Sequence, residues 1–293
     1  MFRTKEELLK FITATQKKSP DSFVQAEISA SIIDQKNAAL LQELWCSLDI
    51  PLEVNQKNGV LLFDKKLYSS KAKILNDAGL VFGFVMKYGQ SQGDTFKAFR
   101  DRLDFATSLY PNHIVFPQLD ESELPPSTAV FSSKDMDFAR GIAFACRTFY
   151  TAGRAVSWFN TILGALKINP SSFFADFDEW QQCNNCSYVT DFIPEDHSHE
   201  EIEKMQLNFL KEKFDEKHKN HLFPAACDMV KLNGAFSRLA AENEESEVET
   251  SYNPEDILSP YAMNLASFTE NVTMENCRVK IFFNQDEPDF KIL

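Results

Sequence analysis

Glycine is scarce in this sequence, and the catalytic motifs that depend on glycine are missing. Only 9 of the 293 residues are glycine. The sequence contains neither a Gly-x-x-x-x-Gly-Lys-Ser/Thr phosphate loop nor a Gly-x-Ser-x-Gly nucleophile turn. The histidines have no motif partner either. These absences argue against a P-loop nucleotidase and against a hydrolase built on a nucleophile elbow.

Cysteine is too sparsely distributed to form a disulfide framework, since six cysteines are scattered over the whole chain. One close pair, Cys183 and Cys186, has the Cys-x-x-Cys spacing. A structural zinc would need two further ligands, for which Cys227, His197 and His199 are the candidates. A redox dithiol is a further alternative, but no flanking βαβ pattern supports it. We predict no metal site, with Cys183 and Cys186 as two ordinary thiols at a helix end.

Long apolar runs and an excess of positive charge are also missing. No stretch of 18 apolar residues occurs, and the first residues are charged without an apolar core suited to export. The net charge of −13 argues against nucleic-acid binding, because that affinity comes mainly from lysine and arginine displacing counterions. The sequence therefore predicts a cytoplasmic protein with neither a membrane nor a nucleic acid as partner.

Phenylalanine and other hydrophobic residues are abundant. Phenylalanine occurs 27 times, and hydrophobic residues make up 44% of the chain. The apolar surface available for burial is therefore large and strongly aromatic. At roughly 150 residues per domain, the length predicts about two compact, helix-rich domains.

The first 130 residues alternate between strand-like and helix-like patterns. Strands are predicted at residues 22–29, 50–54, 80–86 and 113–116. Between them, Asp34 is expected to cap a helix with Ala38, Leu41 and Trp45 on its apolar face. A second helix is expected to start at Ser69 and end at Gly79, and Asp94 to cap a third. Strands alternating with helices predict right-handed βαβ units.

From residue 131 onward the pattern becomes helical. Ser132 and Ser198 have the sequence of helix N-caps, and the alternation over residues 279–283 predicts a short strand. The acidic run at residues 241–249 is expected to be a solvated loop. We therefore divide the chain into a domain at residues 1–130 and a helical C-terminal domain at residues 131–293.

Several of these segments resemble a known family. The matching segments are residues 76–89, 93–95, 99–100, 103–106 and 109–113, and further downstream residues 149–150, 158–159, 170–174 and 205–206. The first group resembles the late barrel segment of cobalamin-binding radical S-adenosylmethionine proteins, and the second resembles the helical region that follows that barrel. The resemblance implies an α/β fold, a partial (β/α) TIM-like half-barrel followed by a mainly helical C-terminal domain.

The cofactors of that family are S-adenosylmethionine, a [4Fe–4S] cluster and cobalamin. The cluster is held by three closely spaced cysteines, Cys-x-x-x-Cys-x-x-Cys, and this sequence has no such triplet. The resemblance places the cluster loop and the cobalamin domain before residue 1. None of these cofactors is therefore expected for this chain alone.

The resemblance also implies candidate binding residues at the ends of the strands, where barrel enzymes place their chemistry. These cofactor-binding candidates are Glu27, Glu53, Gln56, Tyr88 and Gly89. The alternative is that they are polar strand-end residues meeting water or helix N-termini. For His113, which begins the last predicted strand, a capping or polar core role is favoured over proton transfer.

No catalytic residue is predicted, and more than one function remains open. The first is a truncated or split radical S-adenosylmethionine protein without independent catalysis. The alternatives are a non-catalytic binding or scaffold protein that reuses the half-barrel, and an active enzyme subunit completed by a partner chain. A half-barrel leaves a strand edge near residues 23–28 unpaired, which predicts a homo-oligomer or a partner chain that covers this edge.

Overall fold

The protein has an α/β fold in which a parallel sheet is followed by a helical region and a small antiparallel sheet. The structure is a computed structural model that describes residues 1–19, 21–57, 60–91, 93–120 and 127–293, without the side chains of residues 56, 57, 60, 61 and 120. The chain divides into two compact units, an N-terminal unit, Met1–Arg147, and a C-terminal unit, Thr148–Leu293. Across the described ranges, no helix has the length and hydrophobicity needed to cross a bilayer.

Strands and helices are interspersed along the N-terminal unit. The strands are β1 (Val24–Glu27), β2 (Cys46–Pro51), β3 (Asn55–Lys57), β4 (Val60–Leu62), β5 (Val81–Val85) and β6 (His113–Val115). The helices are α1 (Lys5–Lys18), α2 (Gln35–Leu41), α3 (Lys65–Asp77), α4 (Phe96–Thr107), α5 (Pro117–Asp120) and α6 (Ser133–Cys146).

Four of these strands form one parallel sheet in the order β1-β2-β5-β6, while β3 and β4 form a separate hairpin. The strands cross the sheet in chain order, so right-handed crossovers place α2, α3 and α4 on the same face. That face is apolar, with Leu48, Phe82 and Phe84 almost completely buried. Tyr68 of α3 packs edge-on against Phe84 there.

The C-terminal unit is built on an aromatic core. Its helices are α7 (Phe159–Leu166), α8 (Pro170–Cys183), α9 (His199–Glu216), α10 (Phe223–Glu242), α11 (Pro254–Ile257) and α12 (Leu265–Asn271). Phe149, in a π-helical segment, contacts Phe173, Phe177 and Phe209, and all four side chains are buried. The strands β7 (Ser246–Thr250), β8 (Cys277–Asn284) and β9 (Glu287–Ile292) form an antiparallel sheet that contacts α10.

Local capping signals explain several helix boundaries. Asp34 accepts a hydrogen bond from the Asn37 amide and begins α2, as predicted. The predicted starts at Ser132 and Ser198 are confirmed, each with a capping box. Gly79 follows α3 with φ of 63°, which confirms the predicted left-handed end.

Other boundary predictions were wrong. Helix α3 begins four residues before Ser69, because Asp64 accepts a hydrogen bond from the Leu67 amide and caps it. Helix α2 ends at Leu41, so Trp45 lies outside it and is 68% exposed. Strand β2 then begins at Cys46, earlier than the predicted segment at residues 50–54.

The acidic run at residues 241–249 is not a loop. It contains the end of α10 and most of β7, whose Glu247 pairs with Arg278 across the sheet. Glu245 forms a similar ion pair with Lys280. The basic residues of β8 therefore offset the like charges of β7, a long-range effect that the run itself does not indicate.

Candidate functional site

A row of three polar residues and one glycine crosses the parallel sheet on the face opposite the buried phenylalanines. Glu27 pairs in register with Asp49, Asp49 with Gly83, and Gly83 with His113. Residues paired in this way on neighbouring parallel strands project to the same face. Four strands therefore contribute one position each to a single line, which we call the polar row.

Within the polar row, Asp49 and His113 are joined by a hydrogen bond. The His113 Nε2 atom lies 2.7 Å from Asp49 Oδ1, and Gln25 donates to Asp49 Oδ2 at 2.8 Å. Burial raises the pKa of the Asp49 carboxyl, but the hydrogen bonds from His113 and Gln25 outweigh burial and hold that pKa below its usual range.

Gly83 makes the contact between Asp49 and His113 possible. Strand β5 lies between β2 and β6, so the two side chains must reach across two strand spacings of about 4.8 Å each. A Cβ atom at Gly83 would lie 2.1 Å from Cδ2 of the imidazole ring. The absence of a side chain at this position therefore leaves the space that the His113 ring occupies.

A cavity of about 530 Å³ opens at the carboxyl ends of β1, β2 and β5. Glu27 lines it at the end of β1, Glu53 just after β2, and Lys87 and Asp94 after β5. The carboxyl edge of a parallel sheet is where α/β proteins place ligands. The polar row reaches this cavity through Glu27.

Tyr68 holds the segment that carries Glu53. Its hydroxyl donates to the Pro51 carbonyl at 2.9 Å and accepts from the Glu53 amide at 2.7 Å. Burial raises the pKa of Tyr68 to about 12, so the hydroxyl remains protonated and continues to donate. This side chain therefore fixes the backbone at the exit of β2.

Asp94 forms a buried ion pair instead of capping α4. Its two carboxylate oxygens lie 2.9 and 3.0 Å from the Arg102 guanidinium nitrogens, and Oδ2 also accepts from the Gly89 amide. The cap predicted at Asp94 is formed by Thr95, whose hydroxyl accepts from the Ala98 amide. Arg102 also donates to the Lys87 carbonyl, so this pair holds together the turn after β5.

The five cofactor-binding candidates do not all reach the cavity. Glu27 and Glu53 line it. Tyr88 is completely buried among Phe99, Phe116 and Phe131. Gly89 adopts φ of 68° in the turn that binds Asp94, and the side chain of Gln56 lies outside the described part of the structure.

Asp49, Gln25 and Gly83 were not predicted as site residues. No spacing motif links them, since Asp49 and His113 are 64 positions apart in the sequence. The available signal was the alternation in β2, where Ser47 and Asp49 interrupt the apolar residues Cys46, Leu48 and Ile50. That pattern indicates a strand with one polar face.

The close cysteine pair and the two histidines named as zinc-ligand candidates belong to the C-terminal unit. Cys183 is exposed and Cys186 is half-buried at the end of α8, where burial raises the Cys186 pKa to about 11. His197 stacks on Phe192, while His199 is buried and accepts from Arg238. Over the described residues, no group of three or more histidine, cysteine, aspartate or glutamate side chains is arranged to hold a metal ion.

Comparison of the chain with protein-family models, with curated proteins and with solved structures finds no match.

Proposed function

We propose that the N-terminal unit is a half-barrel derived from the radical S-adenosylmethionine proteins that binds a small cationic ligand and does not generate radicals by itself. The observation that carries this proposal is the pair of carboxylates, Glu27 and Glu53, in the cavity at the carboxyl edge of the sheet. Asp94 is neutralised by Arg102. Glu27, Glu53 and Lys87 are then the other charged side chains described at the cavity, and Met1, which bears the α-amino group, also lines it.

The topology supports a barrel origin. In doubly wound sheets the strand order reverses and helices cover both faces. Here the order β1-β2-β5-β6 does not reverse, and the crossover helices lie on one face. In a barrel, such a sheet curves so that the face opposite the crossover helices points inward, and here that face carries the polar row.

The residues present do not fit a [4Fe–4S] cluster of the kind this family uses, which needs three convergent thiolates. The N-terminal unit contains only Cys46 and Cys146. Both are buried, and burial raises the pKa of each thiol. We therefore assign the unit no radical step and derive its function from binding alone.

Calorimetric titration with S-adenosylmethionine and with S-adenosylhomocysteine tests the proposal, because the two ligands differ by the sulfonium methyl group and its charge. We expect the sulfonium ligand to bind more tightly by about 1 kcal/mol, roughly fivefold, which is typical of partly exposed charge pairs. Glu27→Gln and Glu53→Gln should each reduce this preference. Glu6→Gln is the matched control, since Glu6 is exposed on α1 and does not line the cavity.

Failure to bind either ligand would refute the proposal, and so would equal affinity for both ligands in the wild type. A preference that persists in both cavity variants would also count against it. Anaerobic reconstitution with iron and sulfide is a separate check, for which we expect no cluster absorbance and no cleavage of S-adenosylmethionine.

A scaffold that recruits a second chain is the other candidate, and an exposed aromatic pair favours it. Phe23 and Trp45 precede β1 and β2, with ring centroids 5.3 Å apart and exposed fractions of 52% and 68%. Strand β1 pairs with β2 on one side, and on its other side the described chain contributes the isolated bridge between Phe2 and Ile28. Concentration-dependent light scattering tests this candidate, and Trp45→Ser should weaken any association seen.

A further inference from the structure

A second cavity, of about 540 Å³, lies in the C-terminal unit beside the end of α7. Three basic residues line it: Lys167, Lys219 and His221. Its described lining contains no aspartate or glutamate, although the whole chain carries a net charge of −13. The local charge is thus opposite to that of the protein as a whole, which favours an anionic ligand.

The ammonium group of Lys219 is held in place at the cavity wall. It donates to the Ala165 carbonyl in the last turn of α7. Burial, together with the positive charges of Lys167 and Lys217, lowers the pKa of Lys219. An ammonium group has three donors, so two remain after the bond to Ala165. A bound anion would accept from this group and relieve the repulsion among the three lysines.

Gly164 lines the cavity at an exposed position. It lies inside α7, where glycine is less favourable than alanine. A Cβ atom built on it would meet no atom within 4 Å, and its φ is not in the left-handed region. Neither backbone conformation nor packing therefore requires glycine here. The position lines the cavity, where a larger side chain would fill the space.

The remaining walls are partly apolar. Leu222 and Leu265 are buried side chains that line the cavity, and Met263 lies at its exposed side. The Thr161 hydroxyl donates to the Met263 sulfur at 3.4 Å and thereby positions that side chain. A ligand that fits this lining has a charged group near the lysines and a small apolar body.

We propose that this cavity is a binding site for a phosphate monoester with a small apolar group. Two ammonium groups and an imidazole match the charge and the several acceptor oxygens of a phosphate dianion better than those of a single carboxylate. The site is independent of the cavity in the N-terminal unit and of the function proposed there.

Phenyl phosphate is a suitable probe, with calorimetry and thermal unfolding of the full chain as readouts. Potassium chloride keeps the ionic strength equal in all samples, so that the screening of surface charges is the same in each. We expect saturable binding and a higher melting temperature for the wild type. Lys167→Gln should weaken binding at least about tenfold, as expected for loss of a charge-assisted hydrogen bond. Lys204→Gln, on α9 away from the cavity, is the charge-matched control.

Gly164→Leu tests the site without changing charge. Leucine favours helix formation more than glycine does, so the variant should be at least as stable as the wild type while it loses the phenyl phosphate effect. Gly164→Ala, which adds only the Cβ atom, should keep most of the binding. The proposal is overturned if phenyl phosphate does not bind the wild type. It is equally overturned if Gly164→Leu and Lys167→Gln bind as well as the wild type and the control.

Discussion

Replacement of Gly83 by alanine tests the geometry of the polar row most directly. The added Cβ would lie 2.1 Å from the His113 ring, so one of the two must move. If His113 moves, its hydrogen bond to Asp49 is lost, which costs about 1.5–3 kcal/mol for a charged partner. If the strands shift instead, overpacking costs about 1–3 kcal/mol. The smaller of these penalties determines the outcome.

A change in the unfolded chain partly offsets this loss of folding stability. Alanine restricts the unfolded chain more than glycine does, which stabilises the folded state by roughly 0.5–1 kcal/mol. The net effect of Gly83→Ala is therefore a destabilisation of about 1–2 kcal/mol. His113→Ala alone should cost about 1.5–3 kcal/mol, because Asp49 then loses one of its two described side-chain partners.

The double variant separates a steric clash from a general effect on the strand. With His113 replaced by alanine the clash disappears, so Gly83→Ala should then be neutral or stabilising by up to about 1 kcal/mol. The two substitutions should thus be coupled by about 2 kcal/mol. An equal cost of Gly83→Ala in both backgrounds would refute the steric explanation.

Native-state hydrogen exchange is the appropriate assay, because a chain of two compact units need not unfold in one step. The amides of β2, β5 and β6 should lose protection in Gly83→Ala relative to the wild type, whereas the double variant should be at least as protected as His113→Ala alone. Gly164→Ala is the control, since its Cβ meets no atom within 4 Å and it lies in the other unit.

The remaining predictions concern single buried groups. Tyr68→Phe should destabilise the N-terminal unit by about 1–3 kcal/mol in urea unfolding, because the Glu53 amide loses its acceptor, and an absorbance titration should lose the phenol with a pKa of about 12. Burial raises the pKa of Asp178 to about 6. Between about pH 4 and 6 this carboxyl therefore holds more protons in the folded protein than in the unfolded chain, so the free energy of unfolding falls as pH rises through that window. Asp178→Asn should therefore be more stable than the wild type by about 1–2 kcal/mol at pH 7.5 in urea unfolding, with no gain near pH 4; an equal gain at both pH values would contradict this reasoning. Burial, together with the charges of Arg154 and Arg238, lowers the pKa of His199 to about 4. Below about pH 6.5 the imidazole is protonated in the unfolded chain but still neutral in the folded protein. The stability that this group contributes is therefore lost as pH falls from about 6.5 to 4. His199→Gln should remove that part of the pH dependence, as measured by urea midpoints at pH 4.5 and 7.

Elements with local signals were predictable from the sequence. The N-caps Asp34, Ser132 and Ser198 depend on contacts within three residues, and each begins a helix as predicted. Strand β8 follows from simple alternation, as at Val279 and Ile281. The alternation of the four sheet strands with helices along the chain was also predicted, because turn or capping residues lie between the segments.

Features that depend on long-range packing were not predictable. Trp45 continues the helical spacing of Ala38 and Leu41, yet the chain leaves the helix at Leu41 and starts β2 instead. The pairing of Asp49 with His113 depends on the register of three strands. Glu27 and Glu53 were singled out through a resemblance that places them at strand ends, and their meeting in one cavity required the structure.

The exposed indole of Trp45 provides a fluorescence signal from the amino-terminal edge of the sheet. Of the three tryptophans, Trp158 is 1% exposed, Trp180 is half-buried and Trp45 is 68% exposed, so a water-soluble quencher such as iodide should quench Trp45 most and Trp158 least. Any chain that docks beside Phe23 would shield Trp45 and shift its emission to shorter wavelength. Fluorescence of the unlabelled protein can therefore report which surface a binding partner occupies.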